Sequence, residues 1–186
     1  VGVTLEDMGK LKPAFDPEGS VTAGNASGIN DAAAAVVLME RSLAEQKGLK
    51  PLARLVGYSV AGVEPEIMGI GPVPAVRQLL EKTGLAVADL DVIELNEAFA
   101  VQALACIRDL GLPQDKVNPN GSGISLGHPV GATGCLLTVQ ALEELERSGG
   151  QRALVTMCIG GGQSIAAIFE RIWATPCGFH DTSGYD

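Results

Sequence analysis

Two spacings of apolar residues take turns along this chain. Residues 52–60, the run Val92-Ile-Glu-Leu95, the run Ala153-Leu-Val-Thr-Met157 and residues 164–169 are compact apolar stretches of strand length, bounded by glycine, proline or charge. Between them apolar residues recur every three or four positions, the repeat that gathers side chains on one side of a helix. Val76, Leu79 and Leu80 define one such face, ended by Gly84. Phe99, Ala103, Cys106 and Leu110 define a second, stopped by Gly111. Leu136, Val139, Leu142 and Leu145 define a third, with Glu143, Glu144 and Arg147 on the opposite side. Strand and helix therefore alternate, and Gly160-Gly-Gly162 turns the third strand back into the fourth as an antiparallel hairpin. The pattern predicts an α/β layered fold with a mixed sheet covered by helices.

Before Pro51 the pattern is different. Residues 1–21 mix glycine, proline and charge with no sustained period, leaving room for a short strand around 20–22. Asn30 or Asp31 then caps an alanine-rich apolar stretch through Val36, Leu38 and Met39 to Gln46, ended by Gly48, which predicts a buried helix. Residues 65–74 read as a proline- and glycine-punctuated connection, and 173–186 as a surface extension without periodicity.

Composition narrows the function. A net charge of -9 and a pI near 4.7 argue against nucleic acid and anionic membranes, which need clustered Lys and Arg. No apolar stretch reaches the length of a membrane-spanning helix. At 186 residues and 46% hydrophobic composition the chain has enough apolar material for a sizeable core. Cys106, Cys135, Cys158 and Cys177 form no C-x-x-C pair, which disfavours a zinc site or a disulfide framework and points to a reducing compartment. No metal is expected.

Three positions at the ends of these elements carry candidate chemistry. Asn96 follows the second strand. His128, one of only two histidines, lies in the glycine-rich run at 118–134 just before a helical pattern. Cys158 ends the third strand before Gly160. In an open α/β fold, ligands gather at the carboxyl ends of strands, so all three are placed to meet in one crevice. Each also has an ordinary reading: Asn96 as a helix cap, His128 as a structural hydrogen-bonding residue, Cys158 as a small core residue. No single residue decides. A triple-glycine turn exposes backbone N–H donors to an oxyanion and leaves Cys158 accessible, and a cysteine beside such donors and a histidine is expected to reach the thiolate below its free pKa of about 8.5.

Asn96-Glu-Ala-Phe-Ala100, Gly127-His128-Pro129 and Cys158-Ile-Gly-Gly-Gly162, in this order and spacing, closely resemble the carboxyl-terminal half of a thiolase, the acetyl-CoA acetyltransferase or 3-ketoacyl-CoA thiolase type. The resemblance runs from about Lys12 to Ile172 and takes in Ala23-Gly-Asn-Ala-Ser-Gly28. It implies a thiolase-like layered fold with a mixed five-stranded sheet. Residues 1–50 would be the end of a loop region and the last helix of the amino-terminal domain, residues 51–172 the carboxyl-terminal domain, and 173–186 an extension.

The resemblance also implies roles. His128 would bind the thioester carbonyl oxygen and help activate a nucleophilic cysteine; Asn96 would hold a water that completes that oxyanion hole. Cys158 would be the acid/base that moves the α-proton, and the Gly160 N–H would donate into a second oxyanion hole. Phe15 and Ser27 match positions lining the coenzyme A pantetheine channel, joined by Ala26, Ala98 and Phe99. The substrate would be an acyl-CoA thioester, with no permanently bound cofactor. The cysteine that carries the acyl group belongs to the family's amino-terminal half, and no position here matches it. The expected partners are therefore that missing half and, when complete, further copies in a dimer or tetramer. The expected compartment is cytoplasmic, with mitochondrial or peroxisomal placement left open by the absent start. Two rivals stand beside this reading. A ketoacyl-synthase-like condensing enzyme would use two histidines with its cysteine, whereas this chain offers asparagine, one matched histidine and a second cysteine; the other rival is an inert acyl-CoA-binding scaffold.

Overall fold

The computed structural model describes residues 2–172, and the expected extension at 173–186 lies outside the described residues. The described helices are α1 (Leu5–Gly9), α2 (Arg41–Gln46), α3 (Pro72–Thr83), α4 (Ala100–Leu110), α5 (Gly123–Leu126) and α6 (Thr133–Ser148). The strands are β1 (Ala53–Gly62), β2 (Val92–Leu95), β3 (Arg152–Ile159) and β4 (Gln163–Arg171).

The sheet runs in the order β1-β4-β3-β2. β2 and β3 are parallel, joined through α4, α5 and α6, whereas β4 pairs antiparallel with both β3 and β1. This is the mixed sheet and closing hairpin that the alternation predicts. Successive residues of β2 face opposite sides, so each side has its own core. Ile93 joins Leu154, Ala166 and Ile168 under Val76 and Leu79 of α3. Val92 joins Ala153 and Val155 under Leu137, Ala141 and Leu145 of α6. Burying each large aliphatic side chain here contributes about 1.5–3 kcal/mol.

Glu94 breaks the apolar pattern of β2 on the α6 side. It is fully buried, and neither carboxylate oxygen has a hydrogen-bond partner. Burial, helped by the nearby carboxylates of Glu144 and Glu97, pushes its pKa up to about 8. The group is therefore a neutral acid at pH 7, which removes most of the cost of burying it.

Five expectations need correction. The buried helix from Asn30 to Gln46 reduces to α2; residues 31–40 have no regular structure, with Val37 86% and Leu38 75% exposed. Tertiary packing supplies most of a short helix's stability, and this run packs on little. An apolar run also has no period to separate helix from strand.

The sheet has four strands rather than five. Beyond β2 a single bridge, Ile93 to Val117, stands where another strand would lie, with Asn118 N–H donating to Ile93 O at 2.8 Å. Asn118 then adopts a φ of 49°, and Pro119 has no N–H to donate, so the ladder stops. The strand expected around 20–22 is likewise one bridge, Pro13 to Thr22.

Residues 65–74 are not a simple connection. A 3₁₀ turn at Pro65–Ile70 leads into α3, whose first residue is Pro72, a position where proline's fixed φ suits a helix and its missing N–H costs nothing. The buried face of α6 is Leu137, Ala141 and Leu145 with Glu144, while Val139 is exposed. Glu144 enters that face because Arg147 and Asn120 hold its carboxylate.

Candidate active site

The Asn96 N–H donates to Thr156 O at 3.0 Å, extending the parallel pairing one residue past β2. Asn96 therefore sits at the carboxyl end of β2, beside Thr156 of β3, which lies two residues before Cys158. It does not cap a helix. α4 starts at Ala100, and Gln102 Oε1 accepts the entering N–H groups of Ala98 and Phe99 at 3.1 and 3.4 Å. With that task done by Gln102, the fully buried carboxamide of Asn96 is free to face His128. Its Nδ2 lies 3.3 Å from His128 Nε2, and its Oδ1 has no hydrogen-bond partner.

The other face of the imidazole fixes its protonation. Thr133, the first residue of α6, donates its single hydroxyl proton to Pro129 O at 2.9 Å. His128 Nδ1 lies 2.7 Å from that same oxygen, so Nδ1 carries the proton that the oxygen accepts. Nε2 then presents a lone pair toward the Asn96 N–H. Burial lowers the His128 pKa, which keeps the ring neutral at pH 7. A neutral imidazole with a free Nε2 is a base, and once protonated there it becomes a donor to an oxyanion.

Cys158 lies near the end of β3, 7% exposed. Burial raises its pKa, contrary to the expected lowering. Among the described residues no hydrogen bond joins its thiol to His128 or Asn96, and a hydrogen bond with its own backbone opposes burial without outweighing it, so the proton-bearing form is the resting one. The turn Gly160–Gly162 follows directly. Gly162 has a φ of 84°, and a Cβ there would stand 2.1 Å from Val63 O, so only glycine fits. Gly160 is exposed, and a Cβ built there meets nothing within 4 Å, so the space on its side-chain side is open.

Residues 25–28 run as a strip across this region. Ala26 bridges to Phe99, Ser27 N–H donates to Ala98 O at 3.0 Å, Ala100 N–H donates to Asn25 O at 2.9 Å, and His128 N–H donates to Gly28 O at 3.1 Å. Ala26, Ser27, Ala98 and Phe99 thus share one seam with His128. Phe15 stands apart, 79% exposed, on a hairpin closed by Ala14 N–H to Val21 O at 2.8 Å. The structure brings Asn96 and His128 into contact and places Cys158 and Gly160 at the same end of the sheet. Sequence reasoning missed Thr133, Glu97 and Asn118. The signal for Thr133 is a hydroxyl at the start of the helix that follows the histidine.

Comparison with known proteins agrees with this geometry. Residues 49–171 match the family pattern described as thiolase, C-terminal domain, and residues 1–42 match thiolase, N-terminal domain. Beta-ketothiolase BktB of Cupriavidus necator is 71% identical over 170 residues, covering 91% of this chain and 43% of that protein. Beta-ketoadipyl-CoA thiolase of Pseudomonas aeruginosa is 58% identical over 171 residues, with coverage of 91% and 43%. The crystal structure of the Bacillus anthracis acetyl-CoA acetyltransferase superposes with a TM-score of 0.89 at 53% identity, covering 92% of this chain and 43% of that one. Human mitochondrial 3-ketoacyl-CoA thiolase in complex with CoA gives 0.85 at 46% identity, with coverage of 92% and 44%. The chain spans less than half the length of these relatives. The matches at both the pattern and the coordinate level establish that the chain belongs to the thiolase family.

Proposed function

We propose that this chain supplies the acid/base and oxyanion-binding half of an acyltransferase that moves acyl groups between CoA thioesters by reversible Claisen condensation and thiolysis. Residues 1–50 are the end of its amino-terminal domain, 51–172 the carboxyl-terminal domain. The nucleophilic cysteine comes from an amino-terminal half, and the complete enzyme is a dimer or tetramer working in a reducing compartment, the cytoplasm. The observation that carries this reading is the Asn96 Nδ2 to His128 Nε2 contact at 3.3 Å, with the imidazole's other nitrogen tied to Thr133.

In this scheme His128 Nε2 takes the proton of the nucleophilic thiol. The resulting Nε2–H then donates to the thioester oxygen as negative charge develops there, and Asn96 completes the hole through a held water. Cys158 rests as a thiol, the form that returns a proton to the α-carbon of a leaving acetyl-CoA enolate. In the reverse direction its thiolate removes that proton. Gly160 N–H faces the acylated cysteine as donor to the second, tetrahedral oxyanion, and the seam of Ala26, Ser27, Ala98 and Phe99, with Phe15, takes the pantetheine arm. Two oxyanion sites are needed because the reaction passes through both an enolate and a tetrahedral adduct.

Cys158→Ala, in the chain assembled with an amino-terminal thiolase half, tests the assignment. Acetyl exchange should fall by about 10²–10⁴-fold while CoA binding measured by calorimetry is kept. Unchanged exchange would overturn the assigned role and leave Cys158 as a core residue.

A further inference from the structure

Two side chains outside the proposed catalytic set join the end of β2 to the turn that delivers His128. Asn118 holds β2 through its side chain where Pro119 ends the backbone ladder. Its Oδ1 accepts from Leu95 N–H at 2.8 Å and its Nδ2 donates to Leu95 O at 2.8 Å. The same Nδ2 reaches Glu97 Oε1 at 3.1 Å. Glu97 Oε2 in turn accepts the N–H of Ile124, in the single turn of α5, at 3.3 Å. Gly123 sits between them, and a Cβ there would lie 2.7 Å from Glu97 O and 3.0 Å from Asn96 Oδ1. α5 is therefore pressed against the Asn96–Glu97 turn as closely as a glycine allows, and two residues after α5 comes His128.

We propose that Glu97 and Asn118 are positioning residues that clamp α5 to the end of β2 and so set the separation and orientation of Asn96 and His128. Glu97 follows Asn96 directly, so any slip of α5 against Glu97 changes the distance between carboxamide and imidazole. At 3.3 Å that contact is near the outer edge of hydrogen-bond geometry, so a slip of a few tenths of an ångström breaks it. The carboxylate is the right group because both neighbours present N–H donors to it. An amide in its place can accept from one and must turn its own NH₂ toward the other. The importance of the pair for acyl transfer rests on the function proposed above, but the clamp itself reads out on the imidazole without any thioester.

The test is nitrogen-15 NMR of the histidine ring in the 186-residue chain, in a His180→Gln background that leaves one imidazole. The parent should show one tautomer, protonated at Nδ1, with a pKa below the free value. Glu97→Ala should give a mixture of tautomers and a pKa shifted up toward the free value of about 6.5. Glu97→Gln should fall between, and Asn118→Ala should resemble Glu97→Ala. A merely structural role would lower the melting temperature of folded variants without moving the tautomer. The clamp is refuted if Glu97→Ala remains folded, by amide dispersion, with tautomer and titration unchanged. Should that variant not fold, unchanged His128 signals in folded Glu97→Gln and Asn118→Ala refute it equally. No acyl-CoA enters the measurement, so it can fail while the exchange assay succeeds, and the reverse.

Discussion

Residues 2–50 and residues 51–172 have similar appetites for burial and opposite outcomes. Val36, Val37, Leu38 and Met39 are as apolar as Val92, Ile93 and Leu95, yet the first set lies on the surface and the second is buried in β2. Of the described residues before Pro51, only Ala44 is buried. The difference is not composition but company: β2 has β3 beside it, α6 over one side and α3 over the other, whereas residues 31–40 are exposed apart from a half-buried Ala34. Hydrophobic pattern states what a segment would bury, and packing partners decide whether it does.

The sharpest way to break this comparison is paired truncation. Leu154→Ala, in the core between the sheet and α3, should cost about 2–5 kcal/mol in urea denaturation, while Val37→Ala should stay within about 0.5 kcal/mol. Equal losses would mean that 31–40 is packed after all. Glu94 tests a carboxyl buried in the core without a hydrogen-bond partner. Its carboxyl has a pKa of about 8 folded against an ordinary 4.5. Between those values the folded chain keeps a proton that the unfolded chain releases, so stability falls as pH rises from about 4.5 to about 8, with a slope of at most about 1.4 kcal/mol per unit from this group. Glu94→Gln should flatten that decline in denaturation curves across the range, and an unchanged decline would contradict the burial argument. A smaller effect is expected at the site. Thr133→Val removes the acceptor for His128 Nδ1–H, costing about 1 kcal/mol and moving the ring proton to Nε2, visible as a tautomer change by NMR.

What the sequence made legible follows the same division. Val92 to Leu95 could be recognised as a strand because its neighbours lie within the chain, and the four apolar runs appear as β1 to β4. Asn96 and His128 could be paired because both are polar groups at the ends of elements in one layered fold. The stretch before Gly48 misled because a continuous apolar run has no period to separate helix from strand. The face of α6 was misjudged because Glu144 is buried through Arg147 and Asn120, contacts that hydrophobicity does not encode. The Glu97 and Asn118 clamp left no mark either, since side-chain bonds across more than twenty residues have no repeat. Nor could sequence give the state of Cys158, whose proton is held by burial that only the assembled sheet creates.

The central claim is that this chain contributes acid/base and oxyanion groups but no acyl-carrying nucleophile. Acetoacetyl-CoA cleavage by the purified 186-residue chain, with and without an added amino-terminal thiolase half, tests it most directly. The account predicts no turnover from the chain alone and turnover when the half is added. Turnover by the chain alone would contradict it.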